Sequence, residues 1–352
     1  MHYRNLFNKT HINSQEIFNK KINWYFDIKN ILFENISKKR LLINTKQIIT
    51  EYSSLKPKKN ISYKKTYLRN KFLIKKNFLK EKDSLFKNNV LSSLNYLKKN
   101  CIEEYFDNLL IQGSLATNDY IIGWSDFDSI GVLKDDVLKN EKKILELRKI
   151  LKNFYKKIVK FSPFQHHGII IFTNYDLKYY LPGYLPLEAI KEKCISVIKN
   201  TNLNLNRIIN NNKINLSKKI LLGRKYYLEE GIKNKYYDHH IFNNKKLSLP
   251  LKENEETLKQ LFVHIGFMLN IPVLFLDAIG ESSHKKKSFN KFYKNIEDTK
   301  VINFIKKHEN LRKNFLIYFR AKSKINIEII DYLGKDYFKE CLKVVNYCLK
   351  NI

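Results

Sequence analysis

The sequence predicts an α/β (α+β) fold in which a mixed sheet is flanked by helices, followed by a mostly α-helical C-terminal domain. Strand-like apolar runs occur at 108–112, 127–133 and 164–172, with helical patterns between them. Beyond residue 185 the pattern changes, and helical spacing of apolar residues prevails. We therefore expect an N-terminal helical extension at 1–80, a sheet-containing domain at 81–185 and a helical domain at 186–352.

The elements of the first half follow from periodicity and from chain breaks. Residues 13–38 mix apolar and polar residues at roughly helical spacing, whereas 53–66 reads as a loop or linker because of Pro57 and a lysine run. Residues 82–104 place apolar side chains on one side of a helix. Residues 136–160 begin with acids and end with bases, which matches the helix dipole.

The second half favours helices throughout. The helical segments are 186–200, 216–236, 254–269, 285–297, 299–320 and 335–350. We expect breaks at Pro250, Pro272 and Gly280. The Asn-rich stretch 201–215 is most simply a solvated connector.

The charge of the chain is strongly positive, at +32. A surplus of this size attracts polyanions, nucleotides included. However, only eight of the 66 basic residues are arginine, and an abundance of Lys, Asn, Ile, Tyr and Phe is what an AT-rich coding sequence produces. Lysine is also the weaker residue for bidentate recognition of phosphates and bases. Nucleic acid is therefore a partner compatible with the sequence but not the favoured one.

The compartment and the absence of a membrane partner are predicted from missing sequence signals. No apolar run approaches the ~18 residues of a membrane span, and the first residues do not resemble a secretion signal, so we expect no membrane partner. The four cysteines have neither zinc-site spacing nor the density of a disulfide framework. We expect a cytoplasmic protein.

Residues 109–133, LLIQGSLATNDYIIGWSDFDSIGVL, carry the strongest functional pattern. Gly113-Ser114 follows the first strand-like run, and Asp126-Phe127-Asp128 opens the second after eleven intervening residues. Alternate residues of a strand point to the same side, so both carboxylates would project together while Phe127 enters the core. Two adjacent carboxylates repel each other unless they share a cation. Mg²⁺ suits them, because it prefers few carboxylates plus phosphate oxygens and water.

This arrangement resembles the nucleotidyltransferase superfamily typified by DNA polymerase beta. The family signature is Gly followed by Gly or Ser, a spacer, and then two acids separated by an apolar residue. Here it reads Gly113-Ser114 and Asp126-Phe127-Asp128, and Gln112 and Ser129 depart from the usual apolar neighbours. The sequence of residues 111–130 looks most similar to small bacterial members of the family that modify antibiotics, metabolites or proteins, such as aminoglycoside nucleotidyltransferases.

The resemblance implies roles for named residues. Asp126 and Asp128 would be catalytic and bind Mg²⁺ as the cofactor, whereas Gly113 and Ser114 would hold the β- and γ-phosphates of a bound NTP. Lys286, within the lysine run after Gly280, could bring a cation to the triphosphate, although a lysine run is also a common solvated surface.

The third carboxylate that the family usually carries is missing from 165–171, the strand where it is expected. His167 (or His166) could replace it, since neutral imidazole can bind a metal or accept a proton. Asp176 could instead reach the site from beyond the strand, or the site could work with two acids.

The reaction implied is transfer of a nucleoside monophosphate from an NTP to a hydroxyl, with release of pyrophosphate. We expect a small molecule as the acceptor, because no RNA-binding module is recognisable. The alternative is a catalytically silent member of the family that binds RNA or a protein partner through its basic surface.

Overall fold

The structure is a computed structural model that describes residues 28, 31–56, 62–72, 79, 84–162, 165, 168–180, 194–208, 216–239, 245–252, 254–281, 286–315 and 325–352. Its described residues form two compact units, one ending at residue 208 and the other beginning at residue 216. The predicted domain bounds at 80 and 185 stay predictions.

The first unit contains a mixed five-stranded sheet, which confirms the predicted α+β class in its coarse form. In chain order its elements are α1 (Lys38–Ser53), β1 (Tyr63–Arg69), β2 (Lys71–Phe72), α2 (Ser84–Lys99), β3 (Phe106–Ile111), α3 (Gly113–Ala116), β4 (Ser129–Leu133), α4 (Glu141–Ile158), β5 (Ile170–Thr173), α5 (Asn174–Lys178), β6 (Ile195–Ser196) and β7 (Asn202–Ile208). Short 3₁₀ helices lie at Ile102–Glu104 and Val137–Lys139.

The strand order of the sheet is β2-β6-β3-β4-β5. β3 is antiparallel to both of its neighbours, and β5 is parallel to β4 with Ile130 opposite Ile170. Odd-numbered residues such as Leu109 and Ile171 pack into one core with helices α2 and α4. This core includes Val90, Leu94 and Leu97 of α2, which periodicity placed on one side of that helix, whereas Leu85, placed on the same side, is exposed. Hydrophobic burial of these side chains stabilises the unit.

The opposite face of the sheet is covered by an antiparallel ribbon of β1 and β7. Leu203 and Leu205 of β7 are buried there against Leu110, Ile130 and Val132. Both faces of the central strands are therefore shielded from solvent, which explains why the sequences of β3 and β4 are nearly continuous apolar runs.

The second unit is mostly helical, as predicted. Its elements are α6 (Leu216–Asn234), β8 (Tyr236–His239), β9 (Lys245–Ser248), α7 (Glu255–Leu269), α8 (Ile271–Ala278), α9 (Lys286–Asn295), α10 (Thr299–Lys313), α11 (Ile325–Leu333) and α12 (Tyr337–Lys350). Its core includes Leu261, Ile265, Ile305 and Val345, which are all buried.

One stretch of the second unit, Glu256–Ala278, is long and apolar enough to cross a membrane by length and composition. It comprises 23 residues, and its most apolar 18-residue window has a mean hydropathy of 1.8, with 56% of that window buried within the protein. A buried core helix passes the same test, so the stretch is weak evidence for a membrane span. Polar residues such as His264 and Asn270 interrupt this stretch, so it does not read as one continuous apolar run.

Several local predictions were wrong. Asn202–Ile208 is a strand and not a solvated connector, because Leu203 and Leu205 alternate with asparagines and bury one face. Tyr63–Arg69 is a strand that begins within the predicted linker at 53–66, and Tyr236–His239 pairs with Lys245–Ser248 as an unpredicted hairpin. The break predicted near Pro272 is present, because α7 ends at Leu269 and α8 begins at Ile271. Pro272 lies in the first turn of α8, where its missing N–H has no intrahelical acceptor to lose.

Candidate functional site

The turn after β3 is built around Gly113. Gln112 is buried and extended, and its N–H donates to the carbonyl oxygen of Asp128 at 3.0 Å. Gly113 then adopts a φ of +69°, in the left-handed region that glycine occupies without strain. Ser114 follows in the single turn of α3, where Thr117 closes the helix by donating to the carbonyl oxygen of Gly113 at 3.1 Å.

Gly113 and Asp128 are in close contact. A Cβ atom added at Gly113 would lie 2.2 Å from Oδ2 of Asp128 and 3.0 Å from its Cγ. The carboxylate of Asp128 therefore occupies the space that any other residue at 113 would need. The two halves of the sequence motif, which are separated by eleven residues, meet at this point.

Asp126, Phe127 and Asp128 alternate in burial as the sequence predicted. Phe127 is 1% exposed and packs edge-on against Phe154, with ring centroids 5.8 Å apart. The two aspartates on either side of it are half-buried. These three residues lie immediately before β4 and are not part of the strand itself.

Gln165 fixes the backbone of Phe127. Its Oε1 accepts from the N–H of Phe127 at 2.6 Å, and its Nε2 donates to the carbonyl oxygen of the same residue at 3.4 Å. The hydroxyl of Ser162 donates to the carbonyl oxygen of Ser125 at 2.9 Å. Buried amide and hydroxyl groups thus replace the strand partners that the backbone lacks here, and they hold the acid pair in place.

Two tyrosines beside the acids stay protonated at neutral pH. Burial, together with the charges of Asp126 and Glu34, raises the pKa of Tyr155 to about 12. Burial also raises the pKa of Tyr120, and the charges of Asp126 and Asp128 add to the effect. Both phenols are therefore O–H groups, and Tyr155 donates to the carbonyl oxygen of Gln165 at 2.8 Å.

The structure narrows the search for a third carboxylate. Asp128 and Gly168 each lie two residues before the paired Ile130 and Ile170, so the register of β4 and β5, if continued beyond both strands, would place a glycine opposite Asp128. A Cβ at Gly168 would come within 2.5 Å of the ring of Phe33, which leaves no room for an acid.

Asp176, the alternative third acid, serves a different purpose. Its Oδ2 accepts from the N–H of Thr173 at 2.7 Å and from the hydroxyl of Thr173 at 2.8 Å, forming the capping box of α5. Burial raises its pKa to about 6. The suggestion that Asp176 swings into the site was therefore wrong, because its carboxylate is committed to a helix N-terminus. His166 and His167 lie outside the described residues.

The remaining predicted residues are placed as follows. Lys286 is the first residue of α9 in the second unit, and its side chain is not among those that the structure describes. Within the described ranges, no three His, Cys, Asp or Glu side chains are grouped so as to hold a metal ion. Of the two predicted acids, Asp128 lies against Gly113, and Asp126 precedes it by two residues in the chain.

Sequence reasoning missed Gln165, which was read as one residue of an apolar strand. A signal was present, because a polar amide in such a run must find partners when it is buried, and Gln165 is only 4% exposed.

Comparison with known proteins adds no identification. No family model matches the chain, and no curated protein or solved structure matches it.

Proposed function

We propose that this chain is a Mg²⁺-dependent nucleotidyltransferase that transfers a nucleoside monophosphate from an NTP to an acceptor hydroxyl and releases pyrophosphate. The observation that carries the proposal is the packing of the Asp128 carboxylate against the α-carbon of Gly113, with Asp126 two residues away. A small molecule is the simplest acceptor.

The donor set suits the proposed cofactor. Mg²⁺ in nucleotide sites is bound by one or two carboxylates, and phosphate oxygens and water complete its coordination. Asp126 and Asp128 would hold the ion, and both residues are half-buried. When bound, Mg²⁺ would neutralise charge on the leaving pyrophosphate and acidify the acceptor hydroxyl.

The chain itself would bind and orient the triphosphate. Because Gly113 has no side chain, a phosphate can approach the backbone closely at this turn. The first N–H groups of α3 have no acceptor within the helix, and Ser114 adds a hydroxyl. The role predicted for Lys286, a residue of the second unit, stays a prediction.

The transfer step forms one bond and breaks one. The acceptor oxygen bonds to the α-phosphorus, and the bond from that phosphorus to the oxygen bridging to the β-phosphorus breaks with pyrophosphate leaving. The hydroxyl proton passes to a base, for which His167 is our candidate. Positioning and electrostatics carry most of the rate in such reactions.

A second candidate function is supported by Gly168. Since the continued strand register would place Gly168 opposite Asp128, and the ring of Phe33 leaves no room for a side chain at Gly168, a catalytically silent protein that binds RNA or a protein through its basic surface is the alternative.

Incubation with each of the four α-labelled NTPs and Mg²⁺, with detection of pyrophosphate, tests the proposal. We expect pyrophosphate release that is lost in Asp126→Asn and in Asp128→Asn. Asp331→Asn, which removes an exposed carboxylate from α11, serves as the matched control and should retain full activity. No pyrophosphate from any NTP with a panel of aminoglycosides, nucleosides and oligonucleotides as acceptors would contradict the proposal.

A further inference from the structure

The outer side of the β1–β7 ribbon carries a regular pattern of aromatic and basic side chains. Tyr63, Lys65, Tyr67 and Arg69 are alternate residues of β1, so they share one side of the ribbon, and all four are exposed. We call these four residues the ribbon face. Tyr63 is 46% exposed and Tyr67 is 62% exposed, which places both among the most exposed large apolar side chains described.

The opposite strand completes this surface with amides. Antiparallel partners point to the same side of a sheet, and Lys65, Tyr67 and Arg69 pair with Asn206, Asn204 and Asn202. The intervening residues Leu203 and Leu205 are turned inwards and are buried in the core. The ribbon is therefore anchored by leucines on its inner side and presents tyrosine, cations and asparagine outwards.

The charged residues of the segments that form and flank the ribbon are all positive. Residues 62–72 and 194–208 together contain six cations and no acid. More than half of the aromatic residues that the structure describes are buried, but burial does not account for two tyrosines exposed on a strand between cations.

We propose that the ribbon face binds single-stranded nucleic acid. Bases stack on exposed tyrosine rings regardless of their identity, and cations between the rings meet the phosphates. Four residues along a strand separate the two tyrosines by roughly 13 Å, so they would stack on different bases while Lys65 lies between them. The asparagine amides can both donate to and accept from base edges. A duplex, whose bases are already stacked, offers no ring to the tyrosines.

The test uses the full chain and fluorescein-labelled oligo(U) and oligo(dT) of about 20 nucleotides, with binding followed by anisotropy. Tyr63→Ala/Tyr67→Ala should raise Kd by about 10-fold or more, whereas Tyr67→Phe, which keeps the ring, should bind as the wild type does. Because both side chains are exposed, these variants should fold, and far-UV circular dichroism verifies this. The RNA and DNA arms identify which strand is preferred.

Charge is tested separately from stacking. Lys65→Gln/Arg69→Gln should weaken binding and reduce the slope of log Kd against log salt by about 1.4, as expected for two lost phosphate contacts to a single strand. The matched control Lys98→Gln/Lys99→Gln removes two exposed cations from the last turn of α2 and should change Kd much less.

Three results would overturn the proposal. The first is equal weakening by the α2 control variant, which would mean that net charge alone attracts the strand. The second is unchanged affinity in the double tyrosine variant, and the third is equally tight binding of a duplex or of poly-glutamate. The proposal does not depend on the transfer reaction, because Asp126→Asn should keep oligonucleotide binding whether or not pyrophosphate release exists.

Discussion

The side-chain amide of Gln165 holds Phe127 by both its N–H and its carbonyl oxygen, at 2.6 Å and 3.4 Å. Phe127 is the residue between the two aspartates. The geometry of the acid pair thus depends on a buried amide that lies 38 positions further along the chain.

Gln165→Ala should destabilise the protein and disturb the site. The buried N–H of Phe127 would lose its acceptor, which costs about 1–3 kcal/mol in the free energy of unfolding. Urea unfolding measures this loss, and pyrophosphate release measures the effect on activity. Gln47→Ala is the control, because Gln47 is exposed and bonds only to Glu51 on the same helix, so it should change stability by less than about 0.5 kcal/mol. Equal effects of the two substitutions would contradict the role of Gln165.

Gly113→Ala should abolish Mg²⁺-dependent transfer, because the new methyl group would displace the Asp128 carboxylate. The substitution also imposes a left-handed φ on alanine, which costs about 1–2 kcal/mol by itself. Gly334→Ala separates the two effects, because Gly334 has a φ of +90° but no atom within 4 Å of the added Cβ. We expect similar losses of stability but full activity in Gly334→Ala. Retention of activity in Gly113→Ala would argue against the phosphate-binding turn.

His167→Ala should lower turnover with little change in nucleotide affinity, if His167 takes the proton of the acceptor hydroxyl. Nucleotide affinity is measured by equilibrium binding and turnover by pyrophosphate release. His166→Ala should be the milder of the two variants. Unchanged turnover in His167→Ala would remove this residue from the mechanism.

A buried histidine in the second unit gives the protein a pH-dependent stability. Nδ1 of His308 lies 2.7 Å from the carbonyl oxygen of Phe304, so it donates, and Nε2 accepts from the hydroxyl of Tyr337 at 3.0 Å. Burial lowers the pKa of His308 from 6.5 to about 4, and the charge of Lys307 contributes a smaller part in the same direction.

Because the folded protein holds this imidazole neutral, the contribution of His308 to stability is complete above pH 6.5 and is lost as the pH drops towards 4. The raised pKa of Asp176 acts in the opposite direction over this range, so the contribution of His308 is read from the difference between the wild type and His308→Gln. The full loss from this one group is roughly 3 kcal/mol. Urea unfolding at pH 7 and pH 4.5 measures it. Tyr337→Phe should lower stability at both pH values while leaving the acid sensitivity, whereas His308→Gln should remove most of the pH-dependent part. An acid response that persists unchanged in His308→Gln would assign it to other groups.

Local patterns predicted the parts of the fold that depend on neighbouring residues. Helices α2, α4, α6 and α7 and strands β3 and β4 lie where periodicity and charge placed them, within a few residues. The meeting of Gly113 with Asp128 was expected from spacing, and their contact agrees with it. In each case a short stretch buries its own apolar stripe, so neighbouring residues determine whether it forms a helix or a strand.

The elements that were missed depend on distant partners. Strand β7 reads as polar because asparagine fills its outer positions, and it is a strand because β1, which precedes it by more than 130 residues, supplies its hydrogen bonds. Strands β2 and β6 have two residues each and acquire their pairing only in the completed sheet. Likewise, the contact of Gln165 with Phe127 cannot be read from either stretch alone.

The ribbon's anchoring by leucines has a practical consequence for anyone who truncates this chain. A recombinant fragment covering 81–185 would lack β1, β2, β6 and β7, and it would leave Leu110, Ile130, Val132 and Phe172 bare to water. Such an excised piece should aggregate on expression, while a fragment extended at both ends to include β1 and β7 should stay in solution.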